Sequence, residues 1–179
     1  MTMKRVERPA EESAVPVMNP SGLPNDYKKA LKFGPVGSDE ELSQVAHLRS
    51  ISDPWRSRSE TLEQSVDAMT KLRPFVRVAK LENQLVGYVT IERDGPVPGA
   101  AYMRNIVVRP ELRRKGIGNL LLNHAIETAK DMYRKTLALR VDPANGPAVS
   151  FYRNSGFTTV ATVVSKKSGK LRLLMSREL

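Results

Sequence analysis

The stretch with the clearest chemical potential runs from Ile106 to Gly118 and reads IVVRPELRRKGIG. Apolar residues typical of a buried strand lead into a loop with three consecutive cations, Arg113 to Lys115, and two glycines. An apolar helical pattern follows, so the glycines would lie where a helix begins and where the first backbone amides have no partner within the helix. Such amides attract anions, glycine lets a phosphate approach the backbone, and Arg and Lys add charge-assisted hydrogen bonds. The stretch therefore predicts an anion-binding loop.

The spacing within this loop excludes two common kinds of phosphate site. No Gly-Lys-Ser or Gly-Lys-Thr follows, as a nucleoside-triphosphate loop requires. The dinucleotide fingerprint has three glycines and an acidic residue at a fixed distance for the ribose, and that pattern is not found here. The expected ligand is therefore a phosphorylated cofactor of another kind.

A second block lies downstream and has the arrangement N-x-x-A-x-x-x-Y-x-x-x-G-F. Its fixed positions are Asn145, Ala148, Tyr152, Gly156 and Phe157. Taken alone, Asn145 is a good helix cap and Tyr152 a good core aromatic. The two blocks in this order carry more information than either one does.

Together they resemble the signatures of the GNAT superfamily of acetyl-CoA-dependent N-acetyltransferases. Residues 113–118 match the family's pyrophosphate-binding pattern (Q/R)-x-x-G-x-(G/A), and the apolar strand before them, followed by Pro110, matches its usual lead-in. The second block matches the family in order and separation. The resemblance covers about residues 36–179, and residues 1–34 lie outside it.

Apolar periodicity supplies the elements that would position these blocks. It predicts helices over residues 38–53, 59–73, 116–133 and 145–155, and strands over residues 75–81, 85–92, 100–108, 136–141, 157–164 and 170–175, with a further short strand within 30–36. The resemblance implies that they form an α/β fold: a mixed, mostly antiparallel sheet of six to seven strands, helices on both faces, and two splayed parallel central strands. Residues 1–34 are predicted to be a loosely ordered N-terminal arm, and residues 35–179 one N-acetyltransferase domain.

The resemblance also implies how the site would work. Acetyl-CoA would lie between the splayed strands and pass its acetyl group directly to a primary amine, with no covalent enzyme intermediate. Tyr152 would be the general acid that protonates the departing thiolate. The residues implied in cofactor binding are Ile106, Val107 and Val108 for the pantetheine arm and thioester, Arg113, Arg114, Lys115, Gly116, Ile117 and Gly118 for the pyrophosphate, and Asn145 at the cofactor edge.

The general base is where this sequence departs from better-known members of the family. Tyr102 and Arg140 stand at the two strand positions where relatives carry a glutamate. The carboxylates nearest in sequence are Glu92, Asp94 and Asp142, each of which also fits a solvated strand end or loop. A chain of water molecules is an equal alternative, so no base is assigned.

Composition excludes several other chemistries. The chain has no cysteine, which excludes a disulfide framework, a thiolate metal site and a cysteine nucleophile. His47 and His124 are isolated in helical stretches, so no metal site is predicted. Trp55 lies between the first two predicted helices and fits either a loop aromatic packed on the core or a lid over the acceptor pocket.

The charge of +10 fits a polyanionic cofactor and leaves several functions open. The leading hypothesis is an N-acetyltransferase acting on a small-molecule or protein amine. A toxin-like enzyme that acetylates aminoacyl-tRNA, and a CoA-binding regulatory or nucleic-acid-binding module without turnover, are the alternatives. No run is long enough to span a membrane, and a cytoplasmic monomer or homodimer is expected.

Overall fold

The computed structural model describes Leu23, residues 26–166 and residues 168–179. Most of the predicted arm therefore lies outside the described residues. The helices are α1 Tyr27–Ala30, α2 Asp39–Ser50, α3 Leu62–Leu72, α4 Ile117–Asp131 and α5 Gly146–Asn154. The strands are β1 Lys32–Pro35, β2 Val76–Leu81, β3 Gln84–Glu92, β4 Ala101–Val108, β5 Thr136–Val141, β6 Thr158–Val164 and β7 Leu171–Glu178.

All seven strands form one sheet in the order β1-β2-β3-β4-β5-β7-β6. Every neighbouring pair is antiparallel except β4 and β5, which are parallel. The predicted fold class is confirmed, including its central parallel pair. The short strand expected within residues 30–36 is present as β1, so the sheet begins at Lys32, and Leu31 just before it is buried in the core.

The parallel pair separates after three register positions. Ala101, Tyr102 and Met103 lie opposite Leu137, Ala138 and Leu139, and no pairing between the two strands continues beyond them. β4 remains paired with β3 along residues 104–108, whereas its other edge turns away from β5. A cleft therefore opens in the middle of the sheet.

A β-bulge lies at the point of separation. The register between β3 and β4 shifts between Thr90 and Ile91, which leaves Arg104 as an extra residue in β4. Since successive side chains of a strand alternate between its faces, one extra residue exchanges the faces of all residues that follow. Ile106 and Val108 consequently pack on the same side as Met103, whereas Val107 joins the opposite core cluster.

The two faces of the sheet carry separate apolar clusters. One joins the sheet to α4 and α5 through residues such as Leu121, Ala125 and Val149. The other joins it to α2 and α3 through residues such as Val45 and Met69. This is the predicted arrangement of helices on both faces.

Side-chain caps fix where the helices on the second face begin. The Oγ of Ser38 accepts a hydrogen bond from the Glu41 amide at 3.1 Å, at the start that the sequence predicts for α2. α3 begins later than residue 59, because Thr61 and Gln64 form a capping box and a short 3₁₀ turn occupies the residues before it. No helix in the described part of the chain is long and apolar enough to cross a membrane.

Candidate active site

An open cavity of about 2030 Å³ occupies the region where β4 and β5 separate. One part of its wall consists of the end of β4, the loop before α4 and the first turns of α4 and α5. The other part consists of the α2–α3 connection, the end of β5 and the β6–β7 hairpin. We call these parts the cofactor half and the acceptor half.

The loop in the cofactor half depends on left-handed backbone at two positions. Arg114 has φ +58° and Gly116 has φ +85°, and Gly116 is the N-cap of α4. Glycine adopts this conformation without the steric cost that a Cβ brings. The tight loop brings its amides and the first amides of α4 to the cavity, where the helix dipole favours an anion.

Contacts on both sides hold this loop in place. Arg113 donates from Nε to the carbonyl oxygen of Val108 at 3.2 Å, which ties the loop back to the end of β4. The hydroxyl of Tyr27 donates to the carbonyl oxygen of Lys115. The ammonium of Lys28 also lies beside the loop, since its Nζ would be 3.4 Å from a Cβ placed on Gly116. These α1 contacts could not be predicted from the sequence, because α1 is only four residues long and lies far from the loop in the chain.

Tyr152 lies on α5 and faces the cavity from the cofactor half. Its ring packs edge-on against Phe151 at 5.3 Å and against Phe157 at 5.8 Å between ring centroids. Burial raises the pKa of the Tyr152 phenol above its ordinary value near 10, since the charged phenolate is poorly solvated there. The hydroxyl therefore keeps its proton throughout the neutral pH range.

Asn145 acts as a helix cap in this structure. Its Oδ1 accepts a hydrogen bond from the Ala148 amide at 3.2 Å, at the first turn of α5. The same residue lines the cavity. The capping role is therefore observed, and the cofactor-binding role stays a prediction.

Most of the other residues predicted for the cofactor site also line the cavity. These are Ile106, Val108, Arg113, Arg114, Gly116 and Gly118. The side chains of Val107 and Ile117 are buried in the core, so only their backbone can reach a ligand. Lys115 belongs to the same loop and is half-buried, but it does not line the cavity.

The three carboxylates considered as general bases all form ion pairs. Both oxygens of Glu92 contact the guanidinium of Arg104. Asp94, in the loop before β4, forms an ion pair with Arg134, which lies between α4 and β5. Asp142 accepts from Arg172 Nη1 at 2.8 Å, and it alone of the three lines the cavity. Tyr102, at one of the two strand positions at which the resemblance implied a glutamate, is buried, and burial raises the pKa of its phenol.

The acceptor half contains an ion pair that the sequence did not reveal. Arg49 on α2 donates to both oxygens of Glu60, from Nε at 2.6 Å and from Nη2 at 3.2 Å. Ser65 on α3 adds a hydrogen bond to the same carboxylate at 2.8 Å. The guanidinium of Arg49 also lies 4.3 Å from the ring centroid of Trp55. Trp55 is thus a buried core residue, as one of its two expected roles requires, and it also forms part of the cavity wall. Its role as a lid over the acceptor stays a prediction.

The histidines occupy no metal site. His124 stacks on Phe33 at 5.0 Å between ring centroids. Within the described ranges no group of three His, Cys, Asp or Glu side chains could hold a metal ion.

Comparison with known proteins agrees with this geometry. A family model described as "Acetyltransferase (GNAT) family" matches residues 42–157. A [ribosomal protein bS18]-alanine N-acetyltransferase of Salmonella typhimurium is 37% identical over 57 residues, 32% of this chain and 38% of that protein. The streptothricin acetyltransferase of Streptomyces lavendulae is 33% identical over 81 residues, 39% of this chain and 43% of that protein.

The fold has solved counterparts along most of its length. The structure of Arabidopsis thaliana Naa50 in complex with the bisubstrate analogue CoA-Ac-MVNAL superposes with a TM-score of 0.62 and 21% identity. The match covers 84% of this chain and 99% of that one. In sequence, by contrast, the first curated relatives are matched over only 25% to 56% of their own lengths.

Proposed function

The chain belongs to the GNAT family of acetyltransferases, and on that basis we propose that it moves the acetyl group of acetyl-CoA to a primary amine. The observation that carries this proposal is the parting of β4 and β5 beside a left-handed glycine loop, with Tyr152 on the cavity wall. These features supply a backbone edge, an anion site and a proton donor around one cavity.

The cofactor half suits a long molecule with phosphates at one end. Along residues 104–108, the edge of β4 that turns away from β5 pairs with no strand of the described chain, so its backbone groups can pair with the amides of a pantetheine arm. The loop amides and the guanidinium of Arg114 would hold the pyrophosphate. An amide donor at the β4 edge would stabilise the oxyanion that forms on the thioester carbonyl.

The transfer itself needs one proton donor and one route for the amine's proton. The neutral amine nitrogen forms a bond to the thioester carbon, the carbon–sulfur bond breaks, and the thiolate takes a proton from the Tyr152 hydroxyl. The nitrogen, positively charged after the attack, loses one proton to water, and the Tyr152 phenolate takes one proton back from water. The carboxylates considered as bases are all ion-paired, and none of them is assigned as the base.

The acceptor is a primary amine of a protein or of a small molecule. The similarity to the [ribosomal protein bS18]-alanine N-acetyltransferase supports a protein amine. The similarity to the streptothricin acetyltransferase supports a small amine. Both classes belong in the first experiment.

That experiment incubates the protein with acetyl-CoA and a panel of amines: short peptides with free amino termini, lysine-containing peptides with blocked termini, streptothricin and aminoacyl-tRNA. Free thiol and acetylated product are measured in parallel, and we expect one thiol per acetyl group transferred. Binding of CoA without transfer to any amine would indicate the non-catalytic module instead. Transfer confined to aminoacyl-tRNA, with a steep salt dependence, would indicate the toxin-like enzyme. Absence of CoA binding would overturn the proposal.

A further inference from the structure

Arg140 is the first residue of β5 beyond the last position that pairs with β4. The pairing ends at Met103 and Leu139, and Arg140 follows directly, exposed and on the cavity wall. Its side chain lies on the same face of the sheet as Ala138, which packs against Tyr102. The guanidinium is close enough to Tyr102 to act electrostatically on its phenol. Arg140 therefore stands in the acceptor half, next to the place where the strands separate.

Three other arginines around the cavity form ion pairs with carboxylates, but Arg140 does not. Arg49 pairs with Glu60, Arg104 with Glu92, and Arg172 with Asp142. Among the described residues, no carboxylate forms an ion pair or hydrogen bond with Arg140. The other described cations that line the cavity without such a partner lie elsewhere: Arg113 and Arg114 on the loop of the cofactor half, and Arg58 and Lys166 on connections between elements.

The carboxylates of the acceptor half offer little repulsion to an incoming anion. Asp53 is engaged by Arg56 and Ser57, and Asp67 by Lys71. Within the described part of the wall, Glu63 on the first turn of α3 is the carboxylate without an ion pair. A positive charge at Arg140 would oppose a simple ammonium substrate and favour one that also carries a negative group.

We propose that Arg140 binds a carboxylate that the acceptor carries close to its amine, so that the enzyme selects acidic acceptors. The inference rests on the proposed function, since it names the class of amine that the acceptor half receives. A guanidinium presents a planar fork of donors that suits a carboxylate. Arg140 would thus be a specificity-determining residue, while Tyr152 would remain the proton donor.

The test compares acetylation of peptides that share one amino-terminal alanine and differ at a single following position. The varied residue is Glu, Gln or Lys, and it stands second, third or fourth in the peptide. A separate comparison of β-alanine with β-alanine amide tests whether the carboxylate of a free amino acid is recognised. For the wild-type protein we expect kcat/KM to be about 10-fold higher for the best Glu peptide than for its Gln counterpart, mainly through KM, as for one charge-assisted hydrogen bond at an exposed site. If only β-alanine shows the preference, the carboxylate belongs to a small amino acid and not to a peptide side chain.

Three substitutions of Arg140 make the test specific. R140Q should lose the Glu-over-Gln preference, R140K should keep part of it, and R140E should prefer the Lys peptide. The control K135Q removes an exposed charge just before the other end of β5, outside the cavity, and should keep the wild-type preference. Thermal unfolding of each variant verifies that it folds. A preference of R140E for the Lys peptide over the Glu peptide could not result from loss of structure.

Different results would overturn the role of Arg140 and the proposed acetyl transfer. Two results would overturn the role of Arg140 and leave acetyl transfer intact. One is a wild-type protein that acetylates Gln and Lys peptides as efficiently as Glu peptides and β-alanine amide as efficiently as β-alanine, and the other is an R140E variant with unchanged preference. A wild-type protein that releases thiol with none of these amines would overturn the proposed function itself.

Discussion

In the cofactor half of the cleft, the contacts that set the conformation of the loop before α4 are mostly local in the chain, the contact of Tyr27 with Lys115 being the exception. Arg113 reaches back five residues to Val108, and Gly116 caps the helix that follows it. In the acceptor half, the corresponding contacts join distant residues: Arg49 meets Glu60 across 11 positions, and Arg172 meets Asp142 across 30. One half presents mainly backbone, whose conformation a short motif can specify, and the other presents side chains that only the folded chain brings together.

This difference has a functional consequence that mutations can test. If the halves receive different substrates, a change in the first should alter acetyl-CoA affinity or chemistry, and a change in the second should alter the use of the amine. A variant in the cofactor half that alters only the use of the amine, or a variant in the acceptor half that alters acetyl-CoA affinity, would show that the two halves do not act separately.

The largest effect is expected from Gly116→Asp, which should abolish CoA binding measured by calorimetry. The substitution places a carboxylate where the pyrophosphate is proposed to bind, and it forces a side chain onto backbone with φ +85°. Gly116→Ala is the matched control, because it carries the same backbone strain without the charge and should retain weakened binding. Tight CoA binding by the Asp variant would rule out the loop as the phosphate site.

Tyr152→Phe comes next and should lower kcat by roughly 10²–10⁴, the range for a lost proton donor, while CoA affinity stays close to wild type. Because burial raises the pKa of this phenol, the hydroxyl keeps its proton above pH 10, and ionisation of Tyr152 should not reduce kcat of the wild-type enzyme below that pH. Tyr133→Phe, at an 89% exposed position, is the control and should change neither quantity. Equal kcat for the Tyr152 variant and the wild type would remove the assignment of the acid.

The local conformation of the cofactor half follows from the sequence for a physical reason. Left-handed backbone before a helix favours glycine, and an apolar stripe at helical spacing marks the helix that follows. The order of strands and helices and the cap at Ser38 were accessible in this way, because each depends on residues that are neighbours in the chain. The position of Tyr152 on the cavity wall was instead implied by the resemblance to the family.

The acceptor half could not be predicted to the same extent. The lack of an ion-pair partner for Arg140 depends on where every described carboxylate of the cavity lies. In the cofactor half the bulge at Arg104 is equally non-local, because it depends on the register with β3. The pairing of Arg49 with Glu60 follows from how α2 and α3 pack, and no local pattern encodes it. The contact of Tyr27 with the glycine loop is a similar omission in the cofactor half.

Arg49→Met tests whether the buried pair builds the acceptor wall. It leaves Glu60, whose side chain is only 17% exposed, without its guanidinium, so the free energy of unfolding should fall by about 3 kcal/mol. The matched control is Lys71→Met, which breaks the exposed Lys71–Asp67 pair and should cost less than about 0.5 kcal/mol in the same urea titration. A variant that folds should also show a higher KM for the amine and an unchanged affinity for CoA. Similar losses of stability in the two variants would mean that the buried pair adds nothing to the wall.

The smallest expected effect comes from Asp142→Asn, which tests the boundary between the halves. One carboxylate oxygen accepts from the Ala144 amide at 3.0 Å, next to the cap of α5, and the other accepts from Arg172 on β7. Asparagine can keep the first contact but loses the charge that holds the second, and such a partly exposed pair contributes at most about 1 kcal/mol. We therefore expect a change of about 2- to 5-fold in KM for the amine and a smaller change for acetyl-CoA, both from steady-state kinetics. If the two KM values rise together, Asp142 couples the halves through the β5–α5 connection, and the cleft works as one unit instead of two.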